Sequence, residues 1–244
     1  QKATEAMQLF KEAQRMLDRF VELKVEYCKA TYGFFPAYSE GDDLVIGDTR
    51  FPMLRQQSAG EDGKCKCLAD YLLPKRGNDY VGAFAVTAGS GTEYMKKKFE
   101  SEGDSYNLML LQTLTDRLAE ALAEYLHVKV RREFWGYAPD ENLSIPDLLK
   151  EKYVGIRPAM GYPSIPDQKM NFLLDKLLHL DRIGVKLTEN GAMYPTASVS
   201  GLYLANPAAQ YFMIGRIDEE QLEDYAKRRG LTSDEIRPLL SKNL

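Results

Sequence analysis

The sequence predicts an α+β fold, a single domain built on a mainly antiparallel sheet. Apolar residues recur at helical spacing in several stretches, and runs rich in β-branched and aromatic residues occur in both halves of the 244 residues. No internal repeat or Pro/Ser-rich linker divides the chain. Because helices are interspersed unevenly among the strands, a mainly antiparallel sheet is the expected arrangement.

The predicted helices follow from apolar residues spaced three and four apart and from capping residues. An amphipathic helix is expected over residues 3–26, and the longest helix from about 106 to 134. Asp167 is the expected N-cap of a helix over 167–182, which Gly184 ends. The remaining helical predictions, all short, are residues 67–73, 93–100, 144–152, a helix from Asp218 to Gly230 and one after Thr232.

The predicted strands are short runs bounded by turn residues. They are residues 42–47, 79–87, 185–188, 197–204 and 210–217. The last two runs, joined through Asn206 and Pro207, are expected to form an antiparallel pair. Gly33 and Pro36 are expected to end the first helix or to close the loop after it.

The composition is that of an ordinary soluble domain, with 44% hydrophobic and 28% charged residues. No apolar run approaches the roughly 18 residues that a membrane-spanning helix needs. A net charge of −4 provides no basic surface for a phosphate backbone. Neither a membrane nor a nucleic acid is therefore an expected partner.

Cysteine usage indicates a reducing compartment and hence a cytoplasmic location, since Cys28, Cys65 and Cys67 lack the spacing of a disulfide framework. With only His127 and His179 besides, these residues do not supply the ligands of a structural zinc site, and no metal site is expected. The chain starts at a glutamine inside a predicted helix, so we expect it to be a piece of a longer protein.

A glycine-rich turn, Ala88-Gly89-Ser90-Gly91-Thr92, lies between a predicted strand and a predicted helix. This order is similar to the phosphate-binding turn of dinucleotide folds and of the common methyltransferase fold. The G-x-G-x-x-G pattern is incomplete, however, and a long helix follows where a second strand with an acidic residue is required. A plain turn is therefore favoured over an ordinary methyltransferase site built on Gly89 and Gly91.

The longest predicted helix carries three acidic residues at intervals of four, Asp116, Glu120 and Glu124. Residues at this spacing share one helix face, and like charges there destabilise the helix locally. One interpretation is a solvated face partly offset by Arg117. The other is that one of these carboxylates binds a cation, such as the ammonium group of an amino-acid-like ligand.

Residues 155–167 contain three prolines, two glycines, Arg157 and Tyr162, and cannot form a helix interior. The segment could be a stiff connection between two elements. It could also be a small-molecule cradle, in which Arg157 presents a guanidinium, Gly161 lets a ligand approach the backbone and Tyr162 supplies a ring.

No catalytic triad, P-loop, H-E-x-x-H or EF-hand pattern is present, so ligand binding is favoured over covalent chemistry. If Arg157 bound a carboxylate and a carboxylate such as Glu120 bound an ammonium, the two side chains together would recognise an α-amino acid.

The sequence Arg157-Pro158-Ala159-Met160-Gly161-Tyr162 resembles the R-P-A-x-G-Y signature of a known family. This family is the S-adenosylmethionine-binding activation domain of cobalamin-dependent methionine synthase. The resemblance extends in order over nearly the whole chain. Its other motifs are residues 41–43, 54–57, 67–70, 80–87, 116–121, 135–139 and 197–201.

The resemblance implies a C-shaped α+β domain with a twisted antiparallel sheet and S-adenosylmethionine in a shallow groove. It assigns the ligand's carboxylate to Arg157 and its amino group to Glu120. It assigns the adenine end of the ligand to the backbone of Ala159, and Gly161 belongs to the same signature. The remaining two assignments are aromatic, with Tyr162 and Tyr211 packing near the ligand and the docked cobalamin.

The function implied is reductive reactivation. In the family, cob(II)alamin takes an electron from a flavodoxin-type donor and is remethylated by S-adenosylmethionine. Cobalamin, and zinc likewise, belong to modules outside this chain, which alone is not expected to be a competent methionine synthase. The alternative is a non-enzymatic module that senses S-adenosylmethionine or docks a partner.

The chain departs from the family pattern at two places. The resemblance implies that an acidic ligand residue of the family would precede Gln1, so the chain is expected to lack the start of the domain. Gln168 stands where the family usually has a histidine, in the segment expected to face the cobalamin.

Overall fold

The protein is built around an antiparallel sheet. The computed structural model of the chain describes residues 2–22, 28–60, 62–74 and 78–244. In these ranges five strands form one sheet in the order β3-β2-β1-β4-β7, and β5 and β6 form a separate hairpin. The strands are β1 (Lys29–Glu40), β2 (Asp43–Ile46), β3 (Thr49–Pro52), β4 (Asp79–Thr87), β5 (Lys186–Leu187), β6 (Met193–Tyr194) and β7 (Ser198–Tyr203). The predicted α+β class with an antiparallel sheet is confirmed.

The helices lie on both sides of this sheet. They are α1 (Lys2–Glu22), α2 (Glu93–Ser101), α3 (Ser105–Lys129), α4 (Ile145–Leu148), α5 (Asn171–Leu178), α6 (Glu219–Arg229) and α7 (Ser233–Ile236). A π-helical turn, Val130–Phe134, continues α3 to the predicted end of the long helix. Short 3-10 turns cover Leu68–Tyr71, Gln168–Met170 and Leu180–Ile183.

The capping residues predict the helix starts well because their side chains satisfy free backbone N–H groups. Asp167 accepts from Lys169 N, Asp218 from Gln221 N, and Thr232 forms a capping box. The helix predicted over 167–182 is interrupted at His179, whose backbone is left-handed with φ 54°. The end of the first predicted helix, residues 23–26, lies outside the described residues.

The prediction that Gly33 and Pro36 close a loop is wrong, since residues 29–40 form β1 and pair with β2 and β4. Both residues disfavour a strand locally, yet the pairing of β1 with two neighbours outweighs that preference. The absence of a side chain at Gly33 leaves room for the ring of Phe35. A Cβ there would lie 2.8 Å from the ring of Phe35, which folds over the strand at this point.

The strand predicted over 210–217 is also wrong, because this segment has no regular structure and β7 pairs with β4 instead. Its apolar residues are not buried by sheet pairing. Tyr211 and Phe212 pack on the main core, while Ile214 and Ile217 join the core of the C-terminal helices. The apolar pattern thus reflects two buried contacts along one irregular segment.

The two faces of the sheet carry two cores, and alternate residues of β4 enter them. Val81, Ala83 and Ala85 face the main core, which includes Leu174 and Leu178 of α5. Phe84 and Val86 point the other way, toward a core formed with Ala123, Leu126 and Val130. Helix α3 is therefore fixed across the outer face of β4 and β7.

The turn over residues 88–92 is a plain connection. Strand β4, which precedes it, has antiparallel neighbours on both sides, so the parallel sheet of a dinucleotide fold is excluded. A Cβ at Gly89 would lie 2.6 Å from Cβ of Pro195, so this glycine allows close packing. Among the described helices, none combines the length and the apolar character that crossing a bilayer requires.

Candidate functional site

A groove with a cavity volume of about 1080 Å³ runs between α3 and the segment 157–164. Its α3 wall includes Glu120, Ala121, Glu124, Tyr125 and Val128. The opposite wall is formed by residues 157–159 and 162–164. Val199 of β7 lies between the walls, and α4 and residues 211–213 close the remaining sides.

The segment 156–160 is held in place because it pairs along the free edge of β7. Ile156 and Leu204 exchange backbone hydrogen bonds of 2.9 and 3.0 Å, and Leu202 N donates to Pro158 O at 3.0 Å. Two glycines allow this approach. A Cβ would lie 2.5 Å from Leu204 O at Gly155 and 2.3 Å from Pro158 O at Gly201.

The far end of this segment is anchored by the C-terminal helices. Asp167 is buried, and its Oδ2 accepts from Tyr225 Oη and from Arg229 Nε, each at 2.9 Å. Both donors belong to α6. The groove wall that carries Arg157 is thus attached to the sheet at one end and to α6 at the other.

Arg157 lies in the groove wall, and its guanidinium contacts α3. Its Nη2 is 2.8 Å from Glu124 Oε2, and its Nη1 is 3.4 Å from His127 Nδ1 and 3.5 Å from Tyr153 Oη. Burial is the largest single influence and would lower the pKa of Arg157, but the interactions with Glu124, Tyr211 and Tyr153 together outweigh it, and the pKa is raised. The side chain is a partly exposed cation facing a cavity.

His127 lies fully buried behind Arg157. Burial, followed by the charges of Arg131 and Arg157, lowers the pKa of His127 well below 6.5. The ring is therefore neutral. Because an arginine can only donate, Nδ1 accepts from Arg157 and Nε2 carries the proton, directed to Tyr137 Oη at 3.4 Å.

Arg131, in the π-helical turn, forms a second buried ion pair next to the groove. Its Nε and Nη2 donate to Glu141 at 2.8 and 2.7 Å, and the guanidinium stacks 4.2 Å above the ring of Tyr153. Both side chains are enclosed, with exposures of 0% and 8%. This pair contacts the ring of Tyr153, whereas Arg157 lies near its hydroxyl.

Tyr211 is tied into the same cluster through its hydroxyl group. The oxygen accepts from Arg157 N at 2.9 Å and lies 3.0 Å from Tyr153 Oη. Burial raises the pKa of Tyr211, so the phenol stays protonated. The Tyr211 ring therefore forms part of the groove while its hydroxyl fixes the Arg157 backbone.

The structure brings most of the predicted site residues together, since Glu120, Arg157, Ala159, Tyr162 and Tyr211 all line the groove. Gly161 is exposed but is not part of the groove lining. Its φ of 81° forms a turn in which its N–H donates to Ile165 O at 2.8 Å, and it is adjacent to Gln168.

Glu120 lies on the groove rim and pairs with Arg117 at 2.7 Å rather than with Arg157. Both partners are largely exposed, at 54% and 74% of their side chains. The carboxylate that contacts Arg157 is Glu124, one helical turn further along α3. The predicted interpretation of a solvated face offset by Arg117 therefore describes Glu120, but not Glu124.

The sequence analysis did not identify His127 or Arg131 as members of this cluster. A signal was present, since Glu120, Glu124, His127 and Arg131 follow each other at spacings of four, three and four residues and so share one face of α3. Across the described part of the chain, no group of His, Cys, Asp and Glu side chains is arranged to hold a metal ion.

Comparison with known proteins agrees with this architecture. Residues 1–230 match the family model of the activation domain of vitamin B12-dependent methionine synthase. A crystal structure of the MetH reactivation domain bound to AdoHcy superimposes with a TM-score of 0.94 at 42% sequence identity. The match covers 99% of this chain and 78% of that one. The chain therefore belongs to the family of activation domains of vitamin B12-dependent methionine synthase, a methyltransferase.

Proposed function

We propose that the groove between α3 and residues 157–164 binds S-adenosylmethionine for reactivation of the cobalamin of methionine synthase. The observation that carries this proposal is that every predicted ligand residue except Gly161 lines one groove. The related reactivation domain with 42% identity, which is bound to AdoHcy, supports it.

The size and polarity of the groove suit such a ligand. A cavity of about 1080 Å³ is large enough for a nucleoside joined to an amino acid. Arg157 and Glu124 make one side charged, whereas Pro158, Val199 and Phe212 offer apolar contacts. A zwitterionic amino-acid group and an adenosine need these two environments.

In the proposed arrangement, unused N–H groups of Arg157 donate to the ligand carboxylate, and Glu120 accepts from its ammonium group. The backbone of Ala159 receives the adenine end, and Gly161 shapes the turn that follows it. Tyr211 packs beside the ligand. Tyr162 is 54% exposed on the rim and remains accessible to a docked partner.

Bound S-adenosylmethionine supplies an activated methyl group. The part of this chain is to hold that group at an open groove so that transfer becomes effectively unimolecular when an acceptor docks. We propose that cobalamin is carried by another module of the same enzyme and that zinc is confined to a further module. The electron comes from a flavodoxin-type donor.

We further propose that residues 1–244 act as one domain of a larger cytoplasmic enzyme. The isolated domain then binds its ligand without catalysing the complete synthesis of methionine. The core clusters, which join helices from both halves of the sequence to one sheet, support a single unit.

Calorimetric titration of the chain with S-adenosylmethionine tests the proposal. We expect saturable binding by the unmodified chain, and Arg157→Ala should weaken it by about 10- to 100-fold through loss of a charge-assisted contact. Arg132→Ala removes the same charge from an exposed position outside the groove and should leave the affinity unchanged. No heat from the unmodified chain, or equal affinity of both variants, would contradict the proposal.

A second experiment separates reactivation from simple sensing. The chain is mixed with the cobalamin-carrying module, a reductant and methyl-labelled S-adenosylmethionine. Transfer of the label to cobalamin supports the reactivation function. Binding without any transfer would favour the alternative, a module that senses the ligand or docks a partner.

A further inference from the structure

The three carboxylates at intervals of four on α3 have different environments. Asp116 is exposed and is not part of the groove lining. Glu120 pairs with the exposed Arg117 on the rim. Glu124 alone of the three contacts Arg157, and its side chain is only 23% exposed. The same sequence pattern therefore gives one carboxylate a distinct place in the groove wall, against Arg157.

The contact between Glu124 and Arg157 leaves the guanidinium able to bind a second partner. It uses Nη2, at 2.8 Å, whereas a guanidinium has five N–H donors. Nη1 faces His127 and Tyr153 at longer distances of 3.4 and 3.5 Å. Donors therefore remain for a ligand carboxylate while the pair with Glu124 is intact.

Each member of the pair depends on the other. Within the described residues, Oε1 of Glu124 is shielded from solvent and has no hydrogen-bond partner, so Arg157 supplies the main compensation for this carboxylate. Arg157, in turn, lies near a second cation, Arg131, across His127. Without Glu124 the guanidinium would lose its only close anionic neighbour in the described structure and gain freedom to leave the groove wall.

We propose that Glu124 is the positioning residue of the groove, which holds the Arg157 guanidinium where it can bind the ligand's carboxylate. This inference rests on the function proposed above. The opposite role, a latch that occupies Arg157 and must release it before the ligand binds, makes the opposite prediction for the effect of removing Glu124.

A double-mutant cycle of Glu124→Gln and Arg157→Ala, measured calorimetrically with S-adenosylhomocysteine, tests this role. Positioning predicts that Glu124→Gln lowers the affinity by about 10- to 100-fold, as expected for a lost charge-assisted contact. The double variant should then bind no more weakly than Arg157→Ala alone, because Glu124 acts through Arg157.

Three further measurements exclude a general effect on folding. Binding of 5′-methylthioadenosine, which lacks the amino-acid group, should be unchanged in Glu124→Gln. Glu124→Asp keeps the charge and should recover part of the lost affinity for S-adenosylhomocysteine. Asp116→Asn removes a carboxylate two turns earlier on α3, away from the groove, and should bind like the unmodified chain.

Unchanged or tighter binding by Glu124→Gln would overturn the inference, and tighter binding would identify a latch. Additive losses in the cycle, or equal weakening for 5′-methylthioadenosine, would also overturn it. If the unmodified chain failed to bind S-adenosylhomocysteine, the proposed function would fall together with this inference. Tight binding with additive losses would overturn the inference alone.

Discussion

Two arginine–glutamate pairs contact Tyr153, and they differ in how completely they are buried. Arg131 and Glu141 share two hydrogen bonds and have side-chain exposures of 0% and 8%. Arg157 and Glu124 share one contact and remain 21% and 23% exposed to the groove. The first pair serves only the fold, whereas the Arg157 guanidinium of the second pair still has N–H donors for a ligand.

Similar side chains therefore take a structural or a binding role according to how far they are buried. A buried bidentate pair has its charges satisfied within the protein, and removing one partner leaves an uncompensated charge. A pair beside a cavity can share its cation with an incoming anion. If both pairs affected stability equally, or ligand binding equally, the extent of burial would not explain their roles.

The largest effect is expected from Glu141→Gln. This change leaves the Arg131 guanidinium buried without its counter-charge, and we expect a loss of about 3–5 kcal/mol in the free energy of unfolding. Urea denaturation measures it. If this pair serves only the fold, the folded fraction of Glu141→Gln should bind S-adenosylmethionine with an affinity that changes much less than it does in Arg157→Ala.

A matched control for this variant is Glu133→Gln. Glu133 lies in the π-helical turn Val130–Phe134, which also contains Arg131. Glu133 pairs with Lys129 at the surface, so its removal should leave stability close to that of the unmodified chain. If Glu141→Gln and Glu133→Gln destabilised the protein equally, the buried Arg131–Glu141 pair would contribute no more to stability than the Lys129–Glu133 pair at the surface.

A smaller effect concerns His127, which lies between the two arginines. Its folded pKa is lowered well below 6.5, so as the pH falls below about 6.5 the unfolded chain takes up a proton that the folded protein excludes. Stability should be greatest above this pH. It should then fall by at most about 1.4 kcal/mol per pH unit until the folded pKa is reached.

Urea denaturation between pH 7 and pH 5 checks this dependence. His127→Gln should show a shallower loss of stability over this interval than the unmodified chain. If His127→Gln had the same slope as the unmodified chain, the conclusion that His127 is buried and neutral in the folded protein would be wrong.

The smallest effect is expected for the third arginine–glutamate pair, on the groove rim. Arg117 and Glu120 are exposed to solvent, where an ion pair gains little, so Arg117→Ala should change the free energy of unfolding by no more than about 0.5 kcal/mol. Thermal or urea denaturation measures it. A loss as large as that of Glu141→Gln would show that enclosure does not rank these pairs.

Much of the fold could be predicted because many signals are local. The caps at Asp167, Asp218 and Thr232 satisfy N–H groups two or three residues away, and the helices begin where they indicate. Strand β1 was missed because most of its pairing is with β4, residues 79–87, which lies far along the chain. Residues 210–217 were misassigned because burial in two different cores resembles a strand pattern.

The candidate site divides in the same way. The motif around Arg157 and the series of carboxylates on α3 could be recognised from the sequence, and most of the predicted site residues lie in the groove lining. The partner of Arg157 could not, since Glu120 and Glu124 differ by one helical turn and are equivalent by spacing. His127 and Arg131 were missed because a buried polar side chain carries no local mark of its burial.

Sequence alone was enough to predict the helix caps, the stiff backbone of residues 155–167 and the residue types on each groove wall, because these depend on neighbours along the chain. The three-dimensional fold was needed to show that Glu124 faces Arg157, that Glu120 lies on the rim and that His127 is neutral. The physical reason is that pairing and pKa depend on distance and desolvation. Both are set by how α3 crosses β4 and β7 and by how residues 156–160 lie against the edge of β7.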